Sequence, residues 1–197
     1  MFTGIVAAVG RIEQVAVRGS GLRITVDAGG LDLSDVAVGD SIAVSGCCLT
    51  VVALAPPRFE ADVSQETLDC TTGLGAPGEV NLEKSLRLAD RLGGHLVTGH
   101  VDGVGEVVRV EPEGESRRLV VRTPPALAKY IARKGSVAVQ GVSLTVNRAA
   151  GVEFEVNLIP HTLAVTTLGR LAPRAAVNIE VDLLARYAER LLASGSE

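Results

Sequence analysis

The sequence predicts an all-β protein: two tandem small antiparallel barrels related by internal duplication, plus a C-terminal helix. Three observations carry this. Much of the chain aligns with itself at a shift of 95 residues. Each half is a series of short β-branched or alternating segments bounded by Gly, Pro or Asp, the pattern of strands and tight turns. Near the end, the apolar spacing changes to three and four residues, the period of a helix.

The repeat runs in ordered blocks. "TGIVAAVGRIEQV" (Thr3 to Val15) lies over "TGHVDGVGEVVRV" (Thr98 to Val110), and "GCCLTV" (Gly46 to Val51) over "GVSLTV" (Gly141 to Val146). Phe59 to Gly75 follows Phe154 to Gly169 with one extra Gly, and "VNLE" (Val80 to Glu83) matches "VNIE" (Val177 to Glu180). Solenoid repeats are about 20–50 residues long, so a copy this long is a duplicated domain. The expected domains are residues 1–95 and 96–197.

Within the halves, "RITVDAGG", "SIAVSG", "CLTVVAL", "RFEADV" and "EVNLE" read as strands. Closing such strands into a barrel removes exposed edges. "TPPALAKYIARKG" reads as a short helix with Thr123 as N-cap, Pro124 at its first position and Gly135 past its end. In the tail, a helix is expected over about residues 183–193, with Leu184, Tyr187 and Leu191 forming a narrow apolar seam. Such a helix either packs on its own domain or joins chains.

Composition narrows the function. The net charge is −4 and no Lys/Arg cluster forms a basic stripe, which argues against phosphate-neutralising nucleic-acid binding. The start lacks a basic region followed by a long apolar run, so no signal peptide is expected. The longest uncharged run, between Asp40 and Arg58, contains polar residues and ends in Pro56-Pro57. It reads as strands and a turn, not a membrane span. The three cysteines, two of them adjacent, form neither a disulfide framework nor a metal signature. A cytoplasmic protein fits best. There is no phosphate loop, dinucleotide fingerprint or nucleophile elbow.

Strand alternation sorts the repeated "CCLTV" and "VSLTV". One face carries Cys47, Leu49 and Val51, matched by Val142, Leu144 and Val146; it is apolar and expected inside. The other carries Cys48 and Thr50, matched by Ser143 and Thr145. This polar face is either a pair of equivalent pockets or a solvated sheet surface. Thr67 pairs with Thr162 and Gly4 with Gly99, whereas Ile5 faces His100, Ala7 faces Asp102 and Glu66 faces His161. Similar but unequal pockets suit two copies of one ligand treated differently.

These residues carry a resemblance over essentially the full chain. "MFTGIV", "SGCCLTV", "GGHLVTGHVDG", "YIARKGSVAVQGVSLTV", "LIPHTLAVTTLG" and "VNIEVD" resemble the alpha-type riboflavin synthase family. The resemblance implies two six-stranded Greek-key barrels, a homotrimer joined through the C-terminal helix, no metal and no cofactor. The implied reaction is a dismutation of two 6,7-dimethyl-8-ribityllumazine molecules into riboflavin and a ribitylamino-pyrimidinedione. Association with lumazine synthase is a further implied partner. Non-catalytic lumazine or flavin carriers share the fold and form the alternative.

Carried over position by position, the resemblance assigns substrate contacts in the first barrel to Gly4, Ile5 and Val6, to Cys48, Leu49 and Thr50, and to Asp62, Val63, Ser64, Gln65, Glu66 and Thr67. In the second barrel it assigns them to Gly99, His100 and Val101, to Ser143, Leu144 and Thr145, and to Asn157, Leu158, Ile159, Pro160, His161 and Thr162. Lys134 matches a lysine that reaches another chain's pocket, and Phe2 is expected to cover the pocket. His100, Ser143 and Thr145, or a hydroxyl of the substrate itself, are the candidate proton acceptors. Cys48 is a candidate nucleophile or water holder, with Ser41 assisting. His161 and Gln65 depart from the pattern, where an acidic residue and a lysine are more usual.

Overall fold

The structure, a computed structural model, describes residues 1–194. It contains two closed six-stranded antiparallel barrels. The first comprises β1 (Ala8–Arg18), β2 (Gly21–Asp27), β3 (Ser41–Val44), β4 (Cys47–Ala55), β5 (Arg58–Val63) and β6 (Gly78–Lys84). The second comprises β7 (Gly103–Glu113), β8 (Ser116–Arg122), β9 (Ser136–Val139), β10 (Val142–Ala150), β11 (Glu153–Leu158) and β12 (Ala176–Val181). Around the first barrel the order is β1-β2-β5-β4-β3-β6, and the second repeats it as β7-β8-β11-β10-β9-β12. This is the Greek-key pattern. Short helices α1 (Gln65–Cys70) and α2 (Pro160–Val165) follow β5 and β11, and α3 (Leu183–Ser194) ends the described chain.

Alternation fills each barrel. Ile12, Ile24, Ile42, Phe59 and Leu82 are buried in the first; Val107, Leu119, Val137, Phe154 and Ile179 are buried in the second. Each fully buried side chain of this size contributes about 1.5–3 kcal/mol. The register shifts at matching places, between Ile12 and Gln14 and between Val107 and Arg109. These bulges raise local twist and help a six-stranded sheet close.

Two tight turns meet where the barrels touch. Ser45 and Gly46 (φ 46° and 85°) link β3 to β4, and Gln140 and Gly141 (φ 50° and 78°) link β9 to β10. Two consecutive positive φ values suit a primed hairpin turn. A Cβ on Gly46 would lie 2.8 Å from the backbone nitrogen of Gly141, so the two turns pack backbone on backbone. Asn81 and Asn178 lock the seam. Asn81 Nδ2 donates to the Gln140 carbonyl (2.9 Å) and Asn178 Nδ2 to the Ser45 carbonyl (3.0 Å), each crossing to the other barrel.

The segment after β8 differs from the expected capped helix. It is a single 3-10 stretch, Pro125–Tyr130, whose cap position is Pro124 with no side-chain cap bond. Thr123 is buried with an unpartnered Oγ1. Proline at the start disfavours a helical residue before it, which places Thr123 outside the turn.

Helix α3 is tied to its own barrel through polar groups. Arg186 pairs with Asp102, and Glu189 accepts from Lys129 and from the Tyr130 hydroxyl. Leu184, Tyr187, Leu191 and Leu192 face outward, 64–77% exposed. Among the described residues, no helix is long and apolar enough to cross a membrane.

Candidate active site

The outer face of β3 and β4 builds the first half-site. Ser41 pairs with Thr50, and Ala43 with Cys48, across the two strands. Cys48 is half-buried and Thr50 exposed, while Cys47, Leu49 and Val51 line the barrel interior. Burial pushes the Cys47 thiol up to about 12, which keeps it protonated and inert. In the second barrel, β9 and β10 repeat the arrangement: Ser136 pairs with Thr145, and Ala138 with Ser143.

The segments that cross these faces are exchanged. Gly4, Ile5 and Val6, expected on the first barrel, lie on the second: the Ser143 amide donates to the Gly4 carbonyl at 2.8 Å, and Val6 packs on the second core. Gly99, His100 and Val101, expected on the second barrel, lie on the first: the Cys48 amide donates to the Gly99 carbonyl at 2.8 Å, and Val101 packs on the first core. The physical cause is the Phe2–Val97 bridge, in which Phe2 donates to Val97 (2.8 Å) and accepts from it (3.1 Å). Pairing the two start segments to each other carries each onto the neighbouring barrel. Both glycines are left-handed, φ 74° at Gly4 and 77° at Gly99, and a Cβ on either would lie 2.6 Å from the Cβ of Ser143 or Cys48.

Phe2 therefore does not cover a pocket. It is fully buried in the seam with Ala43, Val97 and Ala138.

The remaining predicted positions fall into three groups. Leu49, Leu144, Val63 and Leu158 point into the barrels, so only their backbone faces outward. Asp62 is held by Arg23 in a two-pronged contact (2.7 and 2.8 Å), which lowers its carboxyl below the usual range. Its counterpart Asn157 has a buried Oδ1 with no partner. Ser64 caps α1 by accepting from the Thr67 amide (3.1 Å), whereas Ile159, followed by Pro160, gives α2 no side-chain cap. Gln65 bonds Asp69 and Glu66 faces the Cys70 thiol; His161 is exposed and Thr162 half-buried. Lys134 is exposed with φ 67°, its amide donating to Val146 (2.7 Å).

Two clefts lie beside the glutamate-bearing ends of β6 and β12. One of about 370 Å³ is lined by Ser41, Glu83, Lys84 and Arg87. Another of about 300 Å³ is lined by Thr98, His100, Glu180 and Arg186. Among the described residues, no group of His, Cys, Asp and Glu could hold a metal ion.

Sequence reasoning missed three site residues. His95 Nδ1 lies 2.7 Å from Ser143 Oγ. Its Nε2 is buried without a partner, and desolvation lowers its pKa despite nearby Asp182. His95 precedes the repeated block and has no counterpart, so the alignment of halves never reached it. Glu83 and Glu180 are the others. Their "VNLE" and "VNIE" blocks repeat, and a buried charge repeated at one strand position was the available signal. Burial raises both carboxyls, against the lowering effect of threonine and glycine donors.

Two barrels, each presenting a thiol- or hydroxyl-bearing face crossed by the other half's start segment, define a duplicated protein with two related small-molecule berths. The family model described as the lumazine binding domain matches residues 3–85 and again 98–182. Riboflavin synthase of Photobacterium phosphoreum is 48% identical over 194 residues, covering 98% of this chain and 89% of that protein. The Brucella abortus riboflavin synthase is 46% identical, covering 97% and 98%. Crystal structures of LumP complexed with 6,7-dimethyl-8-(1'-D-ribityl) lumazine and with riboflavin match with TM-scores of 0.81 and 0.82 at 26% and 28% identity, each covering 92% of this chain and 99% of that one. The chain belongs to the riboflavin synthase family.

Proposed function

We infer that the protein is a riboflavin synthase. It converts two molecules of 6,7-dimethyl-8-ribityllumazine into riboflavin and 5-amino-6-(D-ribitylamino)uracil by moving a four-carbon unit, the last step of riboflavin biosynthesis. The observation that supports this most is the presence of both half-sites in one chain, each with its polar strand pair and its crossing segment. A reaction between two identical molecules needs two berths. Holding both in register turns an encounter into an intramolecular step, worth about 7–11 kcal/mol in favourable cases.

The half-sites differ in their chemistry. The first offers Cys48, Thr50, Ser41 and His100; the second offers Ser143, Thr145 and Ile5, with His95 behind Ser143. The reaction starts by removing a proton from a 7-methyl group, whose anion is delocalised over the ring. Ser143 hydrogen-bonded to a neutral His95 is the best-placed acceptor pair: the hydroxyl passes its proton to Nδ1 as it takes one from the methyl group. Thr145 stands opposite Ser136 across the strand pair. In the first half-site, Cys48 and Ser41 line the berth, and His100 reaches it from the other half.

The outward seam of Leu184, Tyr187 and Leu191 supports a homotrimer joined through α3, with the first barrel of one chain facing the second of a neighbour and Lys134 reaching across. Three free cysteines fit a cytoplasmic location. Association with lumazine synthase rests on the family resemblance alone.

The test is a turnover assay with purified protein and the lumazine alone. Two lumazines consumed per riboflavin formed is the expected result. Binding without riboflavin would overturn the enzyme reading in favour of a carrier.

A further inference from the structure

Strand alternation sends Val80 and Leu82 of β6 into the first barrel, so Asn81 and Glu83 point outward, yet both are buried. The same holds for Asn178 and Glu180 on β12, where Val177 and Ile179 point inward. A buried carboxylate needs donors to offset lost hydration, and each has three. Glu83 accepts from the Thr3 amide (2.7 Å), the Thr3 hydroxyl (2.6 Å) and the Gly4 amide (3.0 Å). Glu180 accepts from the Thr98 amide (2.6 Å), the Thr98 hydroxyl (2.7 Å) and the Gly99 amide (2.9 Å).

The clamp continues into the half-sites. The threonine hydroxyl that donates to glutamate also accepts from the amide two residues on, Ile5 at 3.1 Å and His100 at 3.3 Å. The glycine whose amide is held by glutamate offers its carbonyl to the opposite barrel: Gly4 to Ser143, Gly99 to Cys48. Each glutamate thus lies one residue away from the polar strand face of the barrel to which it does not belong. All groups facing the carboxylates are donors, so an amide in place of either carboxylate would turn an N–H against an N–H.

We propose that Glu83 and Glu180 are positioning residues for the reaction, each acting on the half-site of the opposite barrel: Glu83 on the Ser143 half-site, Glu180 on the Cys48 half-site. This rests on the lumazine reading above. Neither carboxylate touches substrate. Each fixes the left-handed glycine and the residue after it, Ile5 or His100, against the berth.

The test titrates 6,7-dimethyl-8-ribityllumazine into the full chain and its Glu180→Gln and Glu83→Gln variants. It reads binding stoichiometry, turnover and, by mass spectrometry, protection of Cys48 from iodoacetamide. The wild type is expected to bind two lumazines per chain and to protect Cys48. Glu180→Gln should bind one and leave Cys48 unprotected; Glu83→Gln should bind one and keep Cys48 protected. Both should lose about 10²-fold in kcat/KM, the usual effect of a small misplacement. If the Gln variants do not fold, Thr98→Val and Thr3→Val remove one donor each and should weaken the same two sites separately. Cys48 protection that persists in Glu180→Gln or Thr98→Val, or loss of both sites in either variant, would overturn the assignment. A wild type that binds no lumazine would instead overturn the functional reading on which it rests.

Discussion

His95 Nδ1 and Ser143 Oγ lie 2.7 Å apart, although 48 residues separate them in the chain. Burial disfavours the charged imidazole and holds His95 below its ordinary pKa. It is therefore neutral at pH 7, able to accept the Ser143 proton. Turnover is expected to fall on the acid side with an apparent pKa below the usual value of about 6.5, and His95→Gln should remove that limb and lower kcat by about 10²-fold or more. The same shift has a sign for stability. A lowered folded pKa means the contribution is present above the unfolded value and lost as pH falls through the folded one. An acid limb unchanged in His95→Gln would count against the pair.

Glycine 99 should tolerate no side chain. Its φ is 77°, and a Cβ would lie 2.6 Å from Cys48 Cβ and 3.0 Å from the Phe2 ring. Strain and overpacking together predict that Gly99→Ala costs at least ~2 kcal/mol. Gly19, at φ 59° with nothing within 4 Å, is the control. Gly19→Ala should cost only about 1–2 kcal/mol, from backbone conformation alone. Denaturant unfolding of both variants checks the difference.

The three cysteines should react in order of exposure. Cys47 is buried in the barrel and its thiol is pushed up to about 12, so iodoacetamide should leave it unmodified while the protein is folded. Cys48 and Cys70 are half-buried and should both be alkylated. Saturating lumazine should protect Cys48 and leave Cys70 unaffected. Labelling of Cys47 ahead of Cys48 would contradict the strand-face assignment.

Leu184 and Leu191 are 72% and 75% exposed on α3. Replacing both with Asp should leave the circular dichroism of the barrels intact and convert the assembly to monomers in sedimentation. Turnover should fall with it, because in the proposed trimer the facing half-sites come from different chains. A monomeric wild type would rule out the trimer.

Alternation and turn chemistry made the barrels legible. The inward set Cys47, Leu49, Val51 and Val142, Leu144, Val146 follows from the two-residue period of a strand, and the structure buries all six. The repeat announced that whatever one barrel does, the other does in related form. The motifs around Cys48 and Ser143 pointed to the polar faces. Alternation says on which side of a sheet a residue stands, but not what lies over that side. The resemblance places Phe2 over a pocket and Gly4 and Gly99 on their own barrels; the structure buries Phe2 in the seam and lays each glycine on the opposite barrel.

The sequence by itself determined the duplication, the all-β barrels and the family, because these are written in local periods and contiguous motifs. Only the tertiary structure decided the exchange of start segments, the His95–Ser143 contact and the glutamate clamps. Their partners stand 48, 80 and 82 residues apart. Contacts at that separation depend on how two closed barrels dock, and the docking contacts, the Phe2–Val97 bridge and the Asn81 and Asn178 cross-bonds among them, have no periodic signature.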